Sequence, residues 1–405
     1  MKLWGWMVVI VLIGMQSVAP AQVRVTKAMN EVSSLDISQF VGQSGGAPTV
    51  FRQTLEADLK ASGWFSLAGG GRAEFSLLGE AALVRAGLEV RCEAYNVASR
   101  EKLLGKTYNT NATDREVRRL AHKVADDIVL ALTGHKGMAS TRILLIGNRT
   151  GKKEVYLCDA DGQNLRQLTR DNTISMAPKW SPDGSRFVYT SFRSHFPDVY
   201  LVNLDTGDRK CIANYPGLNA SAAFSPDGRE VALILSKDGN PDLYIKNLAG
   251  GTLTRLTNTS RAAEASPAWS PDGRQIVFVS DRSGTPQLYV MDRSGGEPRR
   301  LTSRGSQNVD PDWGANGYIA YCSYIGRVYQ VFVMNPATME FKQVTREDAN
   351  YEDPSWAPDG RHIVCTRTAN YRSRIFMVDT LGGSLIPLLP ESERGDWVAP
   401  NWSKQ

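Results

Sequence analysis

The chain has 405 residues, 42% of them hydrophobic and 22% charged, with a formal net charge of +5. That balance belongs to folded globular chains and excludes a disordered or strongly basic nucleic-acid-binding protein. Nine tryptophans against four histidines, with 36 glycines and 19 prolines, favour turn-rich β-structure over a histidine-based metal enzyme.

At the N-terminus Lys2 precedes the apolar run Leu3 to Ile13, and Ala19-Pro20-Ala21 supplies the small residues a signal peptidase reads. The run has about eleven residues where a membrane span needs about 20. Residues 1–21 are therefore expected to be a signal peptide cleaved after Ala21, leaving an exported chain that starts at Gln22 with a charge of +4. Residues 22–138 carry no repeat and read as a small α/β domain. A strand is expected over Leu35 to Val41, a helix over Pro48 to Ser62 ended near Gly63, and strands over Phe75 to Leu83, Leu88 to Val97 and Lys102 to Thr110. A long helix follows, with Thr113 and Glu116 in a capping-box pattern. Val117, Leu120, Val124, Ile128 and Leu132 recur at helical spacing and Gly134 stops it. His135 to Ser140 form a linker.

From there to the end the chain repeats. Lys179-Trp180-Ser181-Pro182-Asp183-Gly184 recurs around Phe224, Trp269, Trp313, Trp356 and Trp402, at separations of 44, 45, 44, 43 and 46 residues. Each unit reads as four short strands: one ending at the aromatic, a Ser-Pro-Asp-Gly turn, two β-branched and aromatic runs, and an outer strand. The last unit has its inner strand, Val398 to Ser403, and nothing after it. Three strands without an inner partner, Arg142 to Gly147, Glu154 to Asp159 and Leu165 to Thr169, precede the first Trp. Pairing the two ends closes residues 139–405 into a ring with no open sheet edge. The fold class is therefore mostly β, a six-bladed β-propeller of WD40-like repeats behind a small α/β domain. The repeat tryptophans are expected between blades, as packing rather than as a sugar-stacking ring. Cys92, Cys158, Cys211, Cys322 and Cys365 show no Cys-x-x-Cys spacing and read as free thiols or one chance pair.

Two local signals point to chemistry and are outweighed. Gly42-Gln43-Ser44-Gly45-Gly46 matches a nucleophile elbow, but His122 falls in an amphipathic helix and His135 in a linker, neither placed as a triad partner. Asp159-Ala160-Asp161-Gly162 lacks the further acidic ligand of a calcium loop and reads as a turn between outer strands. No cofactor and no metal is expected.

The Trp-Ser-Pro-Asp-Gly ring, the helix end Ala57-Asp58-Leu59-Lys60-Ala61-Ser62-Gly63 and the junction Ala131-Leu132-Thr133-Gly134 with Lys136 to Ile143 together resemble the TolB family, the periplasmic component of the Tol–Pal envelope system. The resemblance covers nearly the whole mature chain. It implies a periplasmic, monomeric, non-enzymatic scaffold that supports outer-membrane integrity and constriction at cell division. It further implies binding of the peptidoglycan-associated lipoprotein at one propeller mouth and of TolA by the mature N-terminus, with other outer-membrane proteins as further partners.

Carried over by position, Gln22, Val23, Arg24 and Val25 resemble the TolA-binding segment, although Gln22 stands where the family has an acidic residue. The lipoprotein-facing loops fall at Leu218, Asn219, Ala220 and Ser221, at Glu264 and Ala265, at Asn308 and Asp310, and at Tyr351 and Glu352. Strand alternation puts these loops on one face with the loops after each second strand, opposite the Pro-Asp-Gly turns. On that face Arg193, Lys237 and Arg282 each lie twelve residues after the first residue of a Ser-Pro-Asp-Gly turn. They form either a basic crown that attracts an acidic partner or a set of donors to a neighbouring blade's carbonyls. The rival readings are an exported propeller hydrolase of peptidase or glycosidase type, disfavoured by the low histidine count, and a propeller that binds cell-wall glycan.

Overall fold

The computed structural model describes residue 28 and residues 31–42, 45–68 and 73–405. The signal-like stretch, Gln22 to Val25 and Ser44 lie outside the described residues.

The N-terminal α/β region comprises β1 (Ser33–Asp36), β2 (Phe40–Gly42), α1 (Gly46–Ala61), β3 (Phe65–Ala68), β4 (Phe75–Val84), β5 (Gly87–Asn96), β6 (Lys102–Thr110) and α2 (Asp114–Thr133). Its sheet runs β3-β1-β4-β5-β6, with β2 also paired to β4. The strand expected over Leu35 to Val41 is two strands, because the Asp36 carboxylate accepts the N–H of Ser38 at 2.8 Å and turns the chain between them. Strand β3 is new; four residues after Gly63 are too few to show an alternation. Phe51, Leu55 and Leu59 of α1 and the periodic residues of α2 are buried in one core with Leu35, Phe75 and Val90 of the sheet. Helix α2 starts after Thr113 and ends on Gly134 at φ 77°, a left-handed cap. Thr113 makes no side-chain cap bond, so Asp114 and Glu116 favour this end through the helix dipole instead of a capping box.

The remainder is a ring of six antiparallel four-stranded sheets. Their inner strands are Ser175–Trp180, Asn219–Phe224, Glu264–Trp269, Asn308–Trp313, Asn350–Trp356 and Trp397–Trp402. The sixth blade joins both ends of the repeat region: Trp397–Trp402 pairs with Arg142–Gly147, which carries Glu154–Asp159 and Arg166–Gln167 outward. Trp397 lies against Gly147 so closely that a Cβ there would sit 2.2 Å from the indole. The repeat aromatics are at most 8% exposed and bridge blades. Trp269 packs with Ala232 and Ile234 of the preceding blade, and its Nε1 donates to the Ala223 carbonyl at 3.0 Å. Trp180 Nε1 reaches Asn401 in the same way, at 3.0 Å.

The α/β region sits on the face that carries the Pro-Asp-Gly turns. Trp64 stacks on His135 at 4.6 Å, with the Arg361 guanidinium 5.0 Å from the Trp64 ring centre and 2.7 Å from Asp379. Asp126 of α2 accepts the N–H groups of Ala139 and Ser140 at 2.8 and 2.9 Å. All five cysteines are free; Cys211 is exposed and the other four are buried. Among the described residues no helix is long and apolar enough to cross a membrane.

Candidate partner-binding site at the propeller mouth

Every inner strand slips its pairing register at the same place. There Ala177, Ser221, Ser266, Asp310, Asp353 and Ala399 adopt positive φ, between 46° and 52°. A bulge of this kind re-aims one side chain at a backbone cost on the order of 1 kcal/mol for a residue with a Cβ. All six residues line one chamber of the central channel, about 320 Å³ in volume, together with Lys153, Met176 and Lys179. A second chamber of about 250 Å³ lies at the tryptophan end, bordered by Trp180, Trp269, Trp313 and Lys404.

Charge in the channel is divided. Burial, and then the facing charge of Asp353, push the Asp310 carboxyl up to about 7, against the pull of Lys179 and the Ser266 hydroxyl. Burial also raises Asp353, although it accepts from Thr366 and from the Ala399 N–H. Glu352 moves the same way, by burial and by Asp353. Deeper in, burial opposes ionisation of Asp312, but Lys404, Lys179 and the Trp356 N–H outweigh it and hold that carboxyl below its usual value. The mouth chamber thus holds two carboxyls, Asp310 and Asp353, that burial pushes above their ordinary values, backed by Lys153 and Lys179.

The residues singled out from sequence separate into two groups. Asn219 is fully buried, its Nδ2 donating to the carbonyls of Tyr215, Pro197 and Gly217. Asn308 serves its own loop in the same way, donating to Gln287 and to the Arg304 carbonyl. Glu264 is buried beneath Arg282, and the buried Tyr351 donates its hydroxyl to Glu347 at 2.7 Å. These four hold the mouth loops in shape. Leu218 packs partly against the blade core, while Ala220, Ser221, Ala265, Asp310 and Glu352 keep part of their surface open, with Ser221 and Asp310 facing the channel.

The basic residues do stand on this face, each over an aromatic ring of its own blade. Arg193 lies 5.6 Å from the Tyr200 centroid, Lys237 5.5 Å from Tyr244 and Arg282 4.9 Å from Tyr289. Lys237 also bonds Asp238 at 2.6 Å, and Arg282 bonds Glu264 at 2.8 Å. These bonds go to side chains of the same blade, not to a neighbour's carbonyls. Arg149, missed from sequence, takes the same place over Tyr156 at 5.6 Å. Its blade has its inner strand at the other end of the chain, so no Ser-Pro-Asp-Gly turn precedes it. The usable signal was a cation seven residues before the third-strand tyrosine, as in 149/156, 193/200, 237/244 and 282/289. Also missed were Phe196, 70% exposed, and Tyr371, fully exposed, on loops of this face; single aromatics in polar loops follow no periodicity. Exposed apolar groups among cations and carboxyls are the composition of a protein-docking surface.

Comparison with known proteins agrees with this architecture. Residues 129–405 match the family model described as the TolB beta propeller domain. The chain is 33% identical over 142 residues to the Tol-Pal system protein TolB of Desulfosudis oleivorans, covering 35% of this chain and 31% of that one. It is 38% identical over 162 residues to the protein of the same name from Geobacter metallireducens, covering 34% of this chain and 37% of that one. The matched stretches thus span about a third of these relatives' length. The crystal structure of TolB from Acinetobacter baumannii superposes over 94% of this chain and 98% of its own, with a TM-score of 0.81 and 27% identity. The family match spans more than half of the residues and the structural match includes the α/β region as well as the ring: the chain belongs to the TolB family.

Proposed function

We propose that this protein is a monomeric, non-enzymatic scaffold of the periplasmic Tol–Pal system, exported by a signal peptide cleaved near Ala21. It binds the peptidoglycan-associated lipoprotein across the propeller mouth and TolA through Gln22 to Val25, supporting outer-membrane integrity and constriction at division. The observation that supports the mouth as the docking surface is its composition: exposed Phe196 and Tyr371 beside ring-stacked Arg193 and Arg149, around a chamber lined by Ser221, Asp310 and Asp353. The α/β region packs on the other face and leaves this one to a partner.

The test is a calorimetric titration of the mature protein with the periplasmic domain of the cognate lipoprotein. One-to-one binding that is weakened by Phe196→Ser is expected; no heat at tens of micromolar from folded protein overturns the reading. Deleting residues 22–25 is expected to abolish TolA binding and leave lipoprotein binding in place. Loss of neither would remove that segment from the proposal.

A further inference from the structure

Away from the mouth, one buried histidine has a nitrogen without a use. His122 of α2 is 3% exposed, and its Nδ1 lies 2.7 Å from Asp58 Oδ2 of α1. Its Nε2 has no hydrogen-bond partner. That nitrogen points across the contact between the α/β region and the ring, 3.7 Å from Asp161 Oδ2 in the turn that follows Glu154–Asp159. Asp159, the last residue of that strand, supplies a second carboxylate. One donor atom from each of His122, Asp159 and Asp161 lies within 4.8 Å of the others.

We propose that His122, Asp159 and Asp161 bind a single zinc-class divalent cation that joins α2 to the sixth blade. Calcium and magnesium take oxygen donors, whereas one imidazole with two carboxylates suits zinc and its first-row neighbours. Asp58 stands where a metal-bound imidazole has its supporting carboxylate: holding the proton on Nδ1, it fixes the tautomer that leaves the lone pair on Nε2. Metal bonds of about 2.0–2.2 Å require the donors to close by roughly an ångström, within the reach of carboxylate rotation. Three groups already bond these carboxylates: Asn164 donates to Asp159 at 2.6 Å, the Gln163 N–H donates to Asp161 Oδ1 at 3.0 Å, and Arg118 pairs with Asp161 Oδ2. The Arg118 charge opposes an incoming cation, so it sets the affinity.

The experiment uses the full mature chain without a histidine tag, stripped with chelator and titrated with zinc chloride against a chromophoric competitor, with cobalt(II) absorption as a second readout. One site per chain is expected, with cobalt d–d bands of nitrogen–oxygen ligation. Asp159→Asn, at the half-buried end of the strand Glu154–Asp159, is expected to weaken zinc at least tenfold, as is His122→Gln. Asp58→Asn is expected to weaken it about 10–100-fold, and Arg118→Gln to tighten it. Circular dichroism of Asp159→Asn separates lost ligation from lost folding. No binding by the wild-type chain at about 100 µM zinc, or binding that folded Asp159→Asn leaves unchanged, overturns the proposal.

Discussion

The Trp402 indole donates its Nε1–H to the Thr141 hydroxyl at 2.6 Å, although 261 positions separate the two residues. This bond and the pairing of Trp397–Trp402 with Arg142–Gly147 are what make a line of repeats into a ring. Gly147→Ala forces a methyl into the Trp397 indole and is expected to cost about 1–3 kcal/mol, the usual range for overpacking. Urea melts check it; an unchanged midpoint would mean that the joint relaxes freely.

Trp269→Ala removes a buried ring shared by two blades together with its bond to the Ala223 carbonyl. A loss of about 3–5 kcal/mol is expected. A loss below about 1 kcal/mol in denaturant would count against its role in packing blades.

Arg361 and Asp379 are both buried, and the pair sits under Trp64. Burial opposes ionisation of Asp379, but the Arg361 guanidinium and the Leu381 N–H bring its carboxyl down to about 2 from an ordinary 3.8. A carboxyl depressed on folding stabilises above its unfolded value, and that stability is lost as pH falls from about 4 towards 2. Arg361→Gln strands the carboxylate and is expected to cost about 3–5 kcal/mol. It should also expose the linker His135 to Ser140 to protease. Thermal melts at pH 7 and pH 3 should show a smaller acid loss in the variant than in the wild type.

Asp310 carries the opposite sign. With its carboxyl raised to about 7 on folding, the folded chain holds a proton that the unfolded chain releases near pH 4, so stability falls as pH rises through that interval. Asp310→Asn is expected to remove this slope: equal stability near pH 4 and a gain of roughly 1–3 kcal/mol at pH 8. Parallel pH profiles for the two proteins would show that the channel carboxyl does not titrate there.

For the mouth, Arg193→Glu combined with Lys237→Glu is expected to slow association with an acidic partner and flatten its salt dependence, as loss of steering does. Arg282 is left in place, because it covers the buried Glu264 carboxylate and its reversal would unfold as much as it would repel. Stopped-flow association rates at two ionic strengths decide the matter; unchanged rates would assign the cations to their rings alone.

The ring was legible because each blade repeats the same turn and aromatic, and because the unpaired strands at the two ends were complementary in number. Small-domain boundaries were less so, since the break after Asp36 depends on one side-chain bond and β3 on its neighbours. At the mouth, sequence located the face and the cations but not the burial of Asn219, Asn308, Glu264 and Tyr351. Those side chains are polar and loop-proximal in sequence, and their partners lie up to some twenty residues away. The channel position was readable in retrospect: it is the third residue before each repeat aromatic, and in five of the six strands a proline follows it.

The joint between Trp397–Trp402 and Arg142–Gly147 is crossed by strand pairing but by no peptide bond, which makes it the place where the ring would gape first under thermal or mechanical load. The α/β region rests beside that joint: Asp126 grips Ala139 and Ser140 just before Thr141, and Met138 packs into the cluster that contains Trp397 and Trp402. The small domain therefore acts as a buttress for the ring's weakest arc, and any event that pries it loose is transmitted first to the sixth blade.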